Sequence, residues 1–341
     1  MLIAHSRPAL DNADIAAVAD VIKSKQISQG ALVRKFEKHL AGFISVKDTV
    51  AVSSGTAALH LALLSLGIRE GDEVILPSFT CAAVLNAVLY TGAKPVFADI
   101  ELDDYNISLK DAKRRISKKT KALLLVHMFG EPADISGFGK LGIPVVEDIA
   151  QAVGAEHKGK KLGSFGKVSV CSFYATKVMT SGEGGAVFSS DNRILEDARS
   201  LREYDKMNSF KLRFNYKLTD MQAALGLAQL KKLPGFIKTR RRIAAIYDAA
   251  FGNSPKKGIY YRYVIRTHKN ADFIIAAMRK KGVLCARPVF KPLHRYFNTG
   301  GCPKTELAWQ RAVSVPIYPA LSNKEVTKIK NTLRDIIKLY G

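Results

Sequence analysis

The chain has 341 residues, 47% of them hydrophobic, with 53 Lys and Arg against 30 Asp and Glu and a net charge of +23. That length holds one large domain and a smaller one. A mean hydropathy near zero fits a soluble globular protein, and apolar runs such as Ala58–Leu66 are too short to cross a bilayer.

The charge has three readings: a lysine-rich solvated surface, a field that draws in an anionic substrate, or nucleic-acid binding. The basic clusters 110–121, 157–161, 231–242 and 279–281 are not interleaved with aromatics, which places nucleic acid last. Residues 1–8 lack the pattern of a signal peptide. Cys81, Cys171, Cys285 and Cys302 form no C-x-x-C pair and read as free thiols in a reducing compartment, so the cytoplasm is expected. No H-x-x-x-H or Cys/His cluster suggests a metal site.

In chain order, Val50–Val52 predicts a strand leading into a helix that Gly67 terminates. Strand 73–77, helix 81–90 and strand 94–100 follow, then strands 121–127 and 143–147. Residues 168–174 and 185–189 predict a strand pair beside the Gly182–Gly185 turn. These runs are continuously apolar rather than alternating, the pattern of a mostly parallel sheet covered on both faces. After Asp191 the texture turns helical: 193–204, then 219–232, an interruption at Leu233-Pro-Gly235, and a further helix to Phe251. The remainder predicts a small α+β unit with strand 259–265, helix 271–281 and a last helix opened by the capping box Ser322-Asn-Lys-Glu325.

Three features bear on chemistry. Lys177 closes the apolar run 168–174 just ahead of the glycine turn. Asp148 ends the strand Val145-Val-Glu-Asp, and Ser53-Ser-Gly-Thr-Ala-Ala58 opens a helix with small residues. A strand-end lysine, a strand-end aspartate and a phosphate-sized helix N-terminus are what a pyridoxal phosphate (PLP) enzyme needs. The lysine forms a Schiff base, the carboxylate keeps the pyridine nitrogen protonated, and the helix end takes the phosphate. Gln151 has the reach for the cofactor's phenolic oxygen, Ala150 is small enough to lie against the ring, and Ser172 can point to the phosphate.

Each has a plainer alternative. Small residues at a helix start usually mark a tight turn, Asp148 can be a cap or surface carboxylate, and a lysine chosen blindly is a surface lysine. Ser172 can be a strand residue satisfied by backbone. His127 reads first as a hydrogen-bonded core histidine and second as an active-site neighbour.

The combination resembles the DegT/StrS-type nucleotide-sugar aminotransferases. The shared segments include Ser28-Gln-Gly30, 53–60, 71–80, 92–97, 126–130, 147–152, 172–177, 182–185, Asn215-Tyr216, 291–294 and 315–319. The resemblance implies a PLP fold-type-I α/β architecture: a large domain, 12–240, with a mostly parallel seven-stranded sheet sandwiched by helices. A small α+β C-terminal domain, 241–341, would carry residues 1–11 packed on it. It implies Lys177 as the Schiff-base lysine, Asp148 at the pyridinium and Gln151 at the phenolic oxygen. Gly55, Thr56 and Ser172 would bind phosphate, with Asn215 reaching the phosphate in a neighbouring subunit, hence a homodimer.

The implied reaction moves an amino group from an amino acid, by analogy L-glutamate, to a nucleotide-linked keto-sugar. A cyclitol or other ketone acceptor is the alternative substrate, and a non-catalytic regulatory or nucleic-acid-binding protein the alternative class. Some relatives replace the lysine by histidine and become dehydratases, whereas Lys177 is retained. Three departures stand out. Cys81 occupies the place of a cofactor-stacking aromatic, Lys217 that of an arginine, and the stretch Phe251–Tyr261 is short.

Overall fold

The structure, a computed structural model, describes residues 2–205, 208–251 and 256–340. Its strands are β1 (Asp48–Val52), β2 (Glu73–Pro77), β3 (Lys94–Ala98), β4 (Thr120–Val126), β5 (Val145–Asp148), β6 (Glu156–His157), β7 (Lys160–Lys161), β8 (Val168–Ser172), β9 (Gly185–Ser189), β10 (Tyr263–Arg266) and β11 (Ala312–Val315). Seven of them form one sheet in the order β1-β9-β8-β5-β4-β2-β3. β2 pairs in parallel with β3 and β4, β4 with β5, and β5 with β8; β9 alone runs the other way, antiparallel to β8 and β1. The mostly parallel sheet expected from the apolar runs is what forms.

Helices cover both faces; in chain order the helices are α1 (Asn12–Ser24), α2 (Ala31–Ile44), α3 (Gly55–Ser65), α4 (Ala82–Tyr90), α5 (Leu109–Arg114), α6 (Ile135–Gly139), α7 (Asn192–Arg202), α8 (Asp220–Phe251), α9 (Ala271–Lys280), α10 (Pro303–Arg311) and α11 (Asn323–Tyr340), of which α9 and α11 pack away from the sheet. Alternate strand residues serve opposite cores. Val50 and Val52 pack with Leu61 of α3 and Leu195 of α7, while Ala51 between them packs with Phe36 and Leu40 of α2 and Leu233 of α8. A third core joins Tyr247, Tyr263, Ile274, Val313 and Leu333 of the C-terminal region, and Ile3 belongs to it. Ile3 bridges Val283 in parallel, its N–H donating to Gly282 O at 2.8 Å.

Two expectations need correction. No break occurs at Leu233-Pro-Gly235: α8 is a single 32-residue helix with Pro234 inside it. A mid-helix proline costs about 3 kcal/mol, but Leu230, Leu233 and Ile237 are buried in the sheet-side core and hold the helix through it. The strand expected over 259–265 starts only at Tyr263. Ahead of it the chain straps across the sheet's edge, with Ile259 N–H donating to Gly130 O at 3.1 Å and Tyr260 at φ +52°. The short stretch 251–261 noted in the sequence falls partly outside the described residues, at 252–255.

Residues 291–311 are pinned to the sheet's C-terminal edge by polar contacts. Ser78 Oγ lies 2.6 Å from His294 Nδ1, His294 Nε2 lies 2.9 Å from Glu306, and Asp99 accepts from Thr305 N–H at 2.7 Å. The final helix opens as expected: Ser322 N–H donates to Glu325 Oε2 at 2.8 Å and Glu325 N–H to Ser322 Oγ at 3.3 Å.

Candidate active site

The parallel strands all end on one edge, where polar residues replace the apolar runs. β1 runs into Ser53 and Ser54, β2 into Ser78–Thr80, β5 ends at Asp148 and β8 at Ser172. Ser54 caps α3, its side chain accepting from Ala57 N–H at 3.0 Å. Gly55 faces Ser172 so closely that a Cβ on it would stand 2.6 Å from Ser172 Cβ. Gly185 likewise leaves room for the Ser54 carbonyl, 2.3 Å from where its Cβ would be. The helix N-terminus is thereby held against β8 and β9, its first N–H groups beside the Ser172 hydroxyl. Thr56 in that turn is half-buried.

Asp148 is 4% exposed and accepts a hydrogen bond from Ala150 N–H at 2.8 Å. Burial raises its pKa above the ordinary carboxylate value, opposed in part by the Ala150 N–H and by the charges of Lys177 and His127. Such a carboxylate gains most from a cationic N–H partner. Gln151 is oriented by its own oxygen, which accepts from Phe129 N–H at 2.9 Å and leaves the amide NH₂ to donate elsewhere.

Lys177 follows β8 in a turn, its N–H bonded to Tyr174 O at 2.9 Å. Its Nζ lies 5.2 Å from the centroid of the Tyr261 ring. Tyr261 is buried, which alone would raise its pKa, but the charges of Lys177 and Arg262 and the Thr176 hydroxyl hold it below the ordinary phenol value. Thr80 Oγ1 is buried on the same edge and has no hydrogen-bond partner among the described residues. Lys177, Asp148, Gly55, Ser172, Ala150 and Gln151 thus share this edge. Cys81, exposed at the N-terminus of α4, and Asn215, exposed beside the β1 end, hydrogen-bond with none of them among the described residues. Asn215 is positioned by its neighbours, since Ser53 N–H donates to Tyr216 O at 2.8 Å and Lys217 bridges Val52. Lys217 itself reaches Asp205 at 3.3 Å.

His127 takes the first of its two readings. It is fully buried, and Nδ1 accepts from Ala133 N–H at 3.0 Å while Nε2 meets Glu147 at 3.1 Å. Tyr261, Thr80 and Arg262 escaped the sequence reading. Tyr261 and Arg262 come from a segment more than eighty residues beyond Lys177, and no spacing signals them.

The site fits pyridoxal phosphate on its own chemistry. An open helix N-terminus with a glycine cradle suits a phosphate, a buried carboxylate of raised pKa suits a protonated ring nitrogen, and Thr80 leaves a buried hydroxyl unsatisfied.

Fold and site define a fold-type-I PLP-dependent aminotransferase. Residues 8–334 match the model of the DegT/DnrJ/EryC1/StrS aminotransferase family, and the chain belongs to that family. It is 34% identical to the GDP-perosamine synthase of Vibrio cholerae over 357 aligned residues, covering 96% of this chain and 97% of that one. Among solved structures, PseC of Helicobacter pylori, an aminotransferase involved in the biosynthesis of pseudoaminic acid, superposes with a TM-score of 0.93. It is 29% identical and covers 100% of both chains. The PLP form of Spr1654 from Streptococcus pneumoniae, a sugar aminotransferase by its description, superposes with a TM-score of 0.93 at 26% identity over 99% of each chain.

Proposed function

We propose that this protein transfers an amino group from an amino-acid donor, L-glutamate first among the candidates, to a nucleotide-linked keto-sugar, giving an amino-sugar. The observation that carries the reading is the convergence of Lys177, Asp148 and the α3 N-terminus on one sheet edge. The sugar nucleotide follows from relatives such as the GDP-perosamine synthase.

When bound, pyridoxal phosphate supplies an electron sink for the carbanion formed at the donor's α-carbon. The α3 N–H groups, with Gly55, Thr56 and Ser172, hold its phosphate through the helix dipole and hydroxyls. Asp148 keeps a proton on the ring nitrogen, and the low dielectric around it strengthens that pairing. Gln151, its oxygen already taken by Phe129 N–H, would donate its amide N–H to the phenolic oxygen, and Ala150 and Cys81 would lie beside the ring. Lys177 Nζ is the amine that would hold the cofactor's aldehyde group. As a free amine Lys177 Nζ would take the proton from the donor's α-carbon, with the Tyr261 ring 5.2 Å away helping to set its position.

Residues 12–240 serve as the cofactor-binding domain and 241–341, with 1–11, as the small domain. Asn215 serves a neighbouring subunit's phosphate, so the active form is a homodimer, and exposed Phe210 and Leu212 on the same stretch support an apolar contact there. We place the enzyme in the cytoplasm, in keeping with its four unpaired cysteines. Among the described residues no helix is long and apolar enough to cross a membrane.

The test is a half-reaction. Cofactor-loaded protein should bleach its visible absorbance with glutamate and regain it with a nucleotide keto-sugar. Borohydride trapping followed by peptide mapping should place the adduct on Lys177. An adduct on another lysine, or none, would refute the assignment.

A further inference from the structure

The strap that carries Tyr261 past Lys177 has a second side. Tyr260, the preceding residue, turns the other way: its hydroxyl donates to Asp248 of α8 at 3.1 Å, and it lines a cleft of about 780 Å³ between the sheet's edge and the C-terminal region. None of Lys177, Asp148, Gln151, Gly55 and Ser172 borders that cleft. Its walls are largely apolar, with Tyr105, Phe129 and Tyr260 at the bottom and the half-buried Leu102, Val264 and Ile337 above them. Tyr105 (φ +63°), Phe129 (φ +57°) and Tyr260 (φ +52°) all hold the left-handed backbone that bulky residues avoid. Strain of this kind persists where the surroundings force it, and it gathers at ligand sites.

Exposed cations stand around the mouth, and the fold leaves them poorly matched. Lys256 Nζ donates to Asp103 O at 2.9 Å and Arg266 Nη1 to Leu102 O at 3.1 Å, so both meet neutral carbonyls. On α11, Arg334 faces its chain neighbour Asp335 at 3.9 Å, and Lys338 forms no ion pair among the described residues. The carboxylates on these walls are mostly engaged within the fold. Asp248 accepts from the Tyr260 and Tyr263 hydroxyls at 3.1 and 2.8 Å, Glu131 from Gly258 N–H at 2.9 Å, and Asp104 from Asn106 N–H at 2.9 Å. Asp103 stands exposed at the rim.

We propose that this cleft is an effector site for a nucleoside phosphate. The volume lies within the range that takes a small organic ligand, and the walls ask for one that is aromatic at one end and anionic at the other. A base fits the aromatic bottom, and phosphates fit the ring of cations. A sugar phosphate would leave the aromatic rings uncovered. Occupancy is felt at the cofactor residues because two walls of the cleft are shared with them. Phe129 holds Gln151 Oε1 through its N–H at 2.9 Å, and Tyr260 is bonded in the chain to Tyr261, whose ring lies 5.2 Å from Lys177 Nζ.

Photolabelling of the holoenzyme with azido-ADP, followed by peptide mapping, locates the site independently of turnover. The label should fall on peptides spanning Lys256–Arg266 or Arg334–Lys338, and plain ADP should suppress it. The double variant Arg334→Glu, Lys338→Glu, on the exposed side of α11, should lose about tenfold or more of that labelling. Label confined to other peptides, or undiminished in the double variant, would overturn the site. The coupling is read from the rate at which glutamate bleaches the cofactor's visible absorbance. ADP should change that rate by about fivefold or more in wild type, beyond any change it causes in the double variant. Equal responses in the two proteins would overturn the effector role. This second arm rests on the aminotransferase reading: a wild-type protein that glutamate never bleaches refutes that reading, while the labelling still decides the site.

Discussion

His127 Nε2 meets Glu147 Oε1 across 3.1 Å with neither side chain exposed to solvent. Because Ala133 N–H already donates to Nδ1, the ring proton sits on Nε2 and points at the carboxylate. Glu147 also collects the N–H groups of Gly163 (2.6 Å), Phe165 (3.1 Å) and Gly166 (2.9 Å). It is the peg that shapes the loop between β5 and β8, and so the spacing of Asp148 from Ser172. Burial works to raise its pKa, but the His127 contact and these N–H donors outweigh it and leave it below the ordinary value. Its contribution is therefore present above about pH 4.5 and lost as the pH falls through the lower folded-state pKa. Glu147→Ala should cost roughly 3–5 kcal/mol in urea unfolding at pH 7. A change under 1 kcal/mol would remove Glu147 from this role.

Asp148 shifts in the opposite direction, and its substitution should act in two ways. Its folded pKa is raised by burial, so in the cofactor-free protein its effect on stability worsens as the pH climbs above the ordinary carboxylate value. Apo Asp148→Asn should then be at least as stable as wild type at pH 8. Its turnover when loaded should fall by about a hundredfold or more, because the ring nitrogen loses its anion. Thermal melts of the apo protein and donor half-reaction rates check the two arms. A loss of apo stability would contradict the strain argument.

Gly55→Ala puts a methyl 2.6 Å from Ser172 Cβ, closer than carbon atoms tolerate. The α3 N-terminus must back away from β8, at a cost of about 1–3 kcal/mol. Cofactor affinity, followed by fluorescence titration, should drop with it. Adding Ser172→Gly, which removes the struck atom, should restore part of the stability but not the hydroxyl contact.

His5 gives the N-terminal segment a pH signature. Its pKa falls from about 6.5 unfolded to about 4 folded, so its stabilisation is complete above pH 6.5 and declines as the pH drops toward 4. The slope is at most about 1.4 kcal/mol per pH unit. Melting temperatures of wild type and His5→Gln from pH 7.5 to 4.5 should converge at the acidic end. Parallel curves would show that His5 does not titrate this way.

The sheet was legible because buried parallel strands are written as apolar runs, and the proposed cofactor residues stand at the ends of such runs. Asp148, Ser172 and Ser53–Gly55 all announce themselves so. Glu147 was hidden by its place inside such a run, where a charge has meaning only once the loop wraps it. Tyr261, Arg262 and His5 were illegible for another reason: Tyr261 meets Lys177, and Arg262 meets Tyr261 and His5, from distant parts of the chain, and tertiary proximity leaves no period in sequence. Pro234 misled, since a proline normally ends a helix and only the packing of Leu233 and Ile237 shows why this one does not.

That unbroken helix makes the protein hard to dismantle. Leu233 and Ile237 of α8 are sunk in the sheet side and Ile243 and Tyr247 in the C-terminal side, so the rod is a shared keel. A cut near residue 240 would cleave it in mid-span and strip each fragment of half the surface it folds upon. Neither piece expressed alone should be well behaved, whereas both co-expressed could reassemble along the severed rod.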